Sequence, residues 1–146
     1  MHMRTRPAEA TITATILQGL CAAADARAIQ VVPWLADTGL TRQDVEASDL
    51  RVPVALAASI IERALRDLPA DIGLELGSRQ HIGNFGLVGL AMSTAATFGD
   101  ALQIGLRFTP VVGNLMRFVA LPPPRPDVLL LGAEQTAGSP AIAHFV

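Results

Sequence analysis

The sequence predicts an α+β fold, with N-terminal helices packed on a small antiparallel sheet. Two observations carry this. The first half of the chain sets its apolar residues at helical spacing, and two apolar runs near the C-terminus bracket the proline-rich "PPPRP". With 146 residues, 51% of them apolar, the chain is long enough for one domain with a real core.

Ile12, Ile16, Leu17, Leu20, Cys21 and Ala24 repeat as one helical face, so the first helix is expected over 9–26, with Pro7 just ahead of it. "VVPWLADTGL" predicts a short helix opening at Pro33 and closing at Gly39 in a left-handed cap. Thr41 followed by Asp44 has the form of a capping box for a helix over 42–47. Pro53 keeps Val52 out of the helical region, so "SDLRVP" reads as a link. Leu56, Ile60, Ile61, Ala64, Leu65 and Leu68 form the clearest stripe in the chain and predict a helix over 54–67. "PADIGLELGSR" predicts a turn and a further short helix.

The stretch "HIGNFGLVGLAMSTAATFGDALQIGLRF" places glycines at 83, 86 and 89. The spacing is not that of a dinucleotide-binding loop, no strand precedes it, and without lysine the chain cannot form a Walker-type loop. We expect a turn at Gly83, then a buried strand over 86–92 in which Gly86 and Gly89 let another backbone approach. Thr97 should cap a helix whose Asp100 sits favourably in the first turn, with Phe98, Leu102, Leu106 and Val112 facing the core. "LMRFVAL" and "DVLLLGAE" predict two antiparallel strands joined through the prolines. The tail "SPAIAHFV" begins as a further helix would.

Composition narrows the function. All eleven basic residues are arginine and the formal net charge is −2. No basic stripe marks a nucleic-acid surface, so no DNA-binding residue is expected in this chain. Cys21 lies among apolar residues and reads as buried and inert, and no Cys/His spacing suits a metal. The segment 82–99 is too polar and too interrupted by glycine to span a membrane, and the N-terminal run is broken by threonines as a signal peptide would not be. The expected compartment is the cytoplasm. His2, His81 and His144 pair with no nucleophile at recognisable spacing, so no catalytic residue, enzyme activity or cofactor is expected.

"DLRVP" at 49–53, then a long helix, "PADIGLELG", and "GNFGLVGLAMSTAATFGDALQIGLRF" together carry a resemblance. The order resembles the N-terminal domain of AraC/XylS-type transcription regulators, in the arabinose-binding-like branch. The shared positions are Arg51, Val52, Pro53, Gly73, Leu74, Gly86, Gly89, Ser93, Thr97, Ala101, Leu102 and Arg107. The departures are mild: Phe98 for Leu, Asp100 for Glu, Phe108 for Tyr. The resemblance covers about residues 12–121. It implies an effector-sensing, dimerising domain that touches DNA only through a C-terminal helix-turn-helix domain absent from these residues. On this reading residues 1–146 are a single sensory domain and a fragment of a longer regulator, with a small-molecule effector and a second copy of itself as partners.

An effector pocket would be mostly apolar with a few converging polar groups. Arg107, Arg117 and Trp34 are the ligand-binding candidates, the arginines because a guanidinium suits an anionic effector. Each has a structural alternative: Arg107 paired with Asp100 or another acid, Arg117 solvated, Trp34 in the core. Arg51 is expected to tie the link to its neighbour. A ligand-free dimerisation or interaction module remains the rival, distinguished by an exposed apolar face without an enclosed cavity.

Overall fold

The computed structural model describes residues 11–47, 50–112, 115–135, 140 and 142. Its elements in order are β1 (Thr11–Thr13), α1 (Thr15–Asp25), α2 (Val32–Leu35), α3 (Arg42–Glu46), β2 (Arg51–Pro53) and α4 (Val54–Asp67). There follow α5 (Ile72–Ser78), a 3-10 turn (Ile82–Phe85), α6 (Gly86–Ser93), α7 (Phe98–Val112), β3 (Met116–Leu121) and β4 (Leu130–Gln135). The fold is α+β, as expected. The strand pairing is divided between two antiparallel two-stranded sheets, β1–β2 and β3–β4.

The first sheet corrects the expected helix over 9–26. Thr11-Ile12-Thr13 pairs with Arg51-Val52-Pro53, and α1 begins only at Thr15. Two β-branched threonines flanking an inward isoleucine suit a pleated strand better than a helix. Ile12 and Val52 oppose each other and are both buried. Pro53 lies at the end of its strand, where its missing N–H costs little, and also precedes α4. The link "DLRVP" is therefore half strand. Arg51 secures it, as expected: Nε donates to the Thr11 hydroxyl and Nη2 to the Thr11 carbonyl.

The core lies between α1 and α4. Leu17, Leu20, Cys21 and Ala24 of α1 meet Ala57, Ile60, Ile61 and Ala64 of α4 in one cluster with Trp34, Val45 and Ile72. The alanines let the two helices lie close, and the larger aliphatics fill the remaining gaps. Leu115, just ahead of β3, and Ile142 also reach this cluster. Of the tail "SPAIAHFV", only Pro140 and Ile142 are described. Pro7 lies outside the described residues.

α2 is a single turn that opens around Pro33, as expected, but it ends at Leu35. Gly39 is left-handed (φ 74°) but serves the following loop, because Asp37 has already left the helical region (φ 60°). At α3 the predicted capping box is present: Thr41 Oγ1 accepts from the Asp44 amide at 3.2 Å, and the Asp44 carboxylate accepts from the Thr41 amide at 2.7 Å.

The expected buried strand over 86–92 is instead the helix α6. Leu, Ala and Met favour a helix, and a short apolar run has no periodicity that separates the two states. Nor is the segment buried: Leu87 is 84% and Leu90 is 60% exposed. The expected turn at Gly83 falls at Gly86, which has φ 55°, while Gly83 lies within the 3-10 turn. Of the two glycines expected to let another backbone approach, Gly89 does so, since an added Cβ would stand 1.8 Å from the Ile82 carbonyl oxygen, whereas nothing described lies within 4 Å of one at Gly86. Thr97 caps α7 as expected, accepting from the Asp100 amide at 3.1 Å. Phe98 does not face the core and is 77% exposed, whereas Leu102 and Leu106 are half-buried. Val112 closes α7, and its side chain lies outside the described residues.

The C-terminal hairpin follows the prediction. β3 and β4 pair antiparallel from Met116↔Gln135 to Leu121↔Leu130. Phe118, Leu121, Leu130 and Leu131 are exposed on it.

Candidate functional site

Trp34, Arg107 and Arg117 occupy three separate elements, α2, α7 and β3. Trp34 is 2% exposed, and its indole N–H donates to Asp67 Oδ2 at 2.7 Å. The ring packs in the core and its one polar atom is satisfied by α4. Arg117 stands opposite Glu134 in the hairpin register, and its Nε donates to Glu134 Oε2 at 3.0 Å on the exposed surface. Arg107 lies on the exposed side of α7 with its guanidinium carbon 5.6 Å from the centre of the Phe108 ring. The expected pair with Asp100 is not formed; that carboxylate accepts from the Thr97 hydroxyl at 2.7 Å. Arg107 has no carboxylate partner among the described residues.

Two concave regions stand out. One is a groove along α7 lined by Asp100, Gln103, Ile104, Leu106, Arg107 and Phe108. All its described lining residues come from one helix, so among the described residues it is a shallow surface feature. The other is a cleft of about 660 Å³ where the C-terminal end of α1, α2 and the start of α3 converge.

The second cleft has a fixed frame. Its α2 wall is held from behind by α4, where Arg63 donates to the carbonyls of Trp34 and Ala36, and Asp67 accepts from the Trp34 indole. Its α3 wall is held by α1, where Gln18 donates to the Val45 carbonyl at 2.9 Å and to the Ala47 carbonyl at 3.3 Å. At one end Ala28 adopts a left-handed conformation (φ 55°), which turns the chain out of α1 so that Ile29 and Val31 point inward. Ile29, Val31, Leu35 and Leu40 supply apolar lining, and Val32 stands 74% exposed at the lip.

The polar end is an ion cluster. Arg42 donates from Nη1 to Asp25 Oδ1 at 2.7 Å, pairs also with Asp25 Oδ2, and donates from Nε to Glu46 Oε1 at 2.8 Å. The guanidinium holds the Asp25 carboxyl below its ordinary pKa, and the two carboxylates raise that of Arg42. Hydrogen bonds from Thr41 likewise lower that of Asp44 on the same helix. Cys21 is buried one turn away on α1; burial pushes its thiol pKa up, partly offset by Arg42.

Sequence reasoning did not find this cleft. Its apolar lining comes from residues that read as ordinary core, and its ion cluster joins Asp25 to Arg42 across 17 positions. The capping box at Thr41, which fixes where Arg42 begins its helix, was the one local signal in the sequence.

Comparison with known proteins bears on what such a chain belongs to. The family described as the arabinose-binding domain of AraC transcription regulators, N-terminal, matches residues 29–136. The chain belongs to this family. Two relatives are each named as uncharacterized HTH-type transcriptional regulators, one from Mycobacterium tuberculosis and one from Mycobacterium bovis. Each is 31% identical over 104 residues, which make up 70% of this chain and 30% of the relative. The chain thus spans about a third of the length of the curated relatives it matches. The family match takes in α2 through β4, including the α2 and α3 walls of the cleft, the α7 groove and the hairpin. No helix among the described residues is long and apolar enough to cross a membrane.

Proposed function

We propose that this chain is the effector-sensing domain of an AraC-type transcription regulator, that it associates with a second copy of itself, and that it works in the cytoplasm. Family membership over 29–136 is the observation that carries this reading. The relatives are named HTH-type regulators, which supports a reading in which DNA contact belongs to a part of the regulator outside this domain. The charge distribution supports the same division. Arg27, Arg42, Arg79, Arg117 and Arg125 each face a carboxylate, while Arg51 and Arg63 are bound to backbone carbonyls. Such committed arginines do not form a phosphate-binding stripe. Residues 1–146 are then one sensory unit of the longer protein.

The mechanism we assign is a population shift. An effector that binds one arrangement of the sensor more tightly than another moves the regulator toward that arrangement by the difference in affinity and no more. Among Trp34, Arg107 and Arg117, Arg107 alone combines exposure with no acidic partner among the described residues, so of the three it is the one free to meet a ligand. Titration of the intact regulator against its operator, with and without effector, tests the reading. The expected result is a change in DNA affinity on effector addition, and identical affinities in both conditions would overturn it.

The exposed apolar residues on α6 and the hairpin favour a second reading, that of a ligand-free association module. Sedimentation of the chain with and without effector separates the two: association with no effector-dependent change of any kind supports the module.

A further inference from the structure

We infer that the cleft between α1, α2 and α3 is a small-molecule site, and that it takes an apolar amine: a hydrocarbon body carrying an ammonium group. This rests on the sensory reading above and names the seat and chemical class that reading leaves open.

The shape comes first. The volume of about 660 Å³ is within the roughly 300–1,000 Å³ of small-molecule sites. Three elements wall the cleft, whereas the α7 groove has one. Its walls are held by Arg63 and Asp67 on one side and Gln18 on the other, which reduces the ordering of the protein that binding must supply. Ile29, Val31, Leu35 and Leu40 would cover a hydrocarbon chain, and Val32, most of whose side chain is in water, would gain cover when the cleft fills.

The charge selects the head group. Arg42 is the cation of the cleft, and Asp25 and Glu46 already take its donors. Two carboxylates against one guanidinium leave the cluster one negative charge in excess. An anionic ligand would meet this surplus and compete for an occupied guanidinium. An ammonium group gains from the surplus and can share the carboxylate lone pairs that Arg42 leaves free. Gln30, exposed at the rim, has no hydrogen-bond partner among the described residues and offers an amide oxygen as a further acceptor.

The test is a methyl-resolved NMR titration of the intact chain with three probes of one length: hexylammonium, hexanoate and hexanol. The expected result is saturable shifts of the Ile29, Val31, Leu35 and Leu40 methyls, with hexylammonium binding at least several-fold tighter than hexanoate and hexanol in between. Asp25→Asn should narrow that preference, and Ala36→Phe, which fills the cleft from an exposed position, should abolish the shifts for all three while leaving the far-UV circular dichroism unchanged. Hexanoate binding as tightly as hexylammonium would overturn the amine assignment. An absence of cleft shifts with every probe, or shifts centred on α7 and Arg107, would overturn the site. Neither result bears on whether the intact regulator's DNA affinity responds to an effector, so the sensory reading stands or falls separately.

Discussion

Gly89→Ala should break the contact between α6 and the turn before it. An ideal Cβ at Gly89 stands 1.8 Å from the Ile82 carbonyl oxygen, 2.8 Å from its carbonyl carbon and 3.3 Å from Phe85 Cβ. Carbon and carbonyl oxygen settle at about 3.3 Å, so the two backbones must separate by roughly 1.5 Å. No rotamer relieves this, because the obstructing atom belongs to the main chain. Overpacking of this kind costs ~3 kcal/mol, and alanine returns about 1 kcal/mol through its better helix propensity. The net loss is about 2 kcal/mol, or roughly 30-fold in the local opening equilibrium. Native-state hydrogen exchange should show that loss at amides 82–94. Urea unfolding followed through Trp34, which is buried in the α1–α4 core, should move less. Gly83→Ala is the control, since no described atom beyond its own turn lies within 4 Å of an added Cβ and its φ is not left-handed. Equal protection in the two variants would refute the argument.

Ala28→Gly should stabilise the chain by about 0.5–1 kcal/mol, because relief of a left-handed alanine outweighs the added freedom of the unfolded glycine; urea denaturation measures it, and a loss of stability would refute it. Asp67→Ala leaves the buried indole N–H of Trp34 without its partner and should cost about 1–3 kcal/mol, with a shift in the emission of this single tryptophan as the local signature. Cys21 should resist a thiol reagent at pH 8 in the native chain and react at once in urea. Its raised pKa favours the neutral thiol, so this contribution to stability is present below the unfolded pKa and is lost as pH rises through the folded one. Asp25 and Asp44 have the opposite sign: their lowered pKa values stabilise the fold above the unfolded carboxylate pKa of roughly 3.9, and the contribution is lost as pH falls through the folded values, so Asp25→Asn should flatten the acid limb of a stability–pH curve.

The parts of the fold legible in the sequence are those whose causes are local. The stripe over 54–67, the capping box at Thr41 and Asp44, the Thr97 cap and the hairpin around "PPPRP" each depend on residues within a few positions of one another. The errors fall where a distant partner decides. Thr11–Thr13 continues a helical pattern on paper and becomes a strand because Arg51–Pro53 lies beside it. Residues 86–92 read as a buried strand because a short apolar run with two glycines suits a segment approached by another backbone. No strand among the described residues pairs with them, and without a partner a run of Leu, Val, Ala and Met closes its hydrogen bonds within itself as a helix. Of Gly86 and Gly89, only Gly89 is a point of close approach, a use that a missing side chain serves in helix or strand, while Gly86 supplies a positive φ instead.

The site shows the same division more sharply. Residue type alone gives Arg107, Arg117 and Trp34 their chemistry as ligand groups, and the surroundings decide how much of it is free. Glu134 takes Arg117 through a register that pairs them directly across the hairpin. Asp67 takes the indole of Trp34, and that bond, with Arg63, makes α2 a rigid wall. The tryptophan therefore contributes to the cleft through the backbone it anchors, while its neighbours Val31, Val32 and Leu35 line it. What no local pattern could show is that the turn at Ala28 brings Asp25 against Arg42, so that the single guanidinium of the cleft is outnumbered by carboxylates. The same arginine that sequence chemistry would assign to an anion is, in its folded surroundings, part of a cluster of negative sign, and it is the sum of that cluster, not the identity of any one member, that sets which ligand charge the cleft accepts.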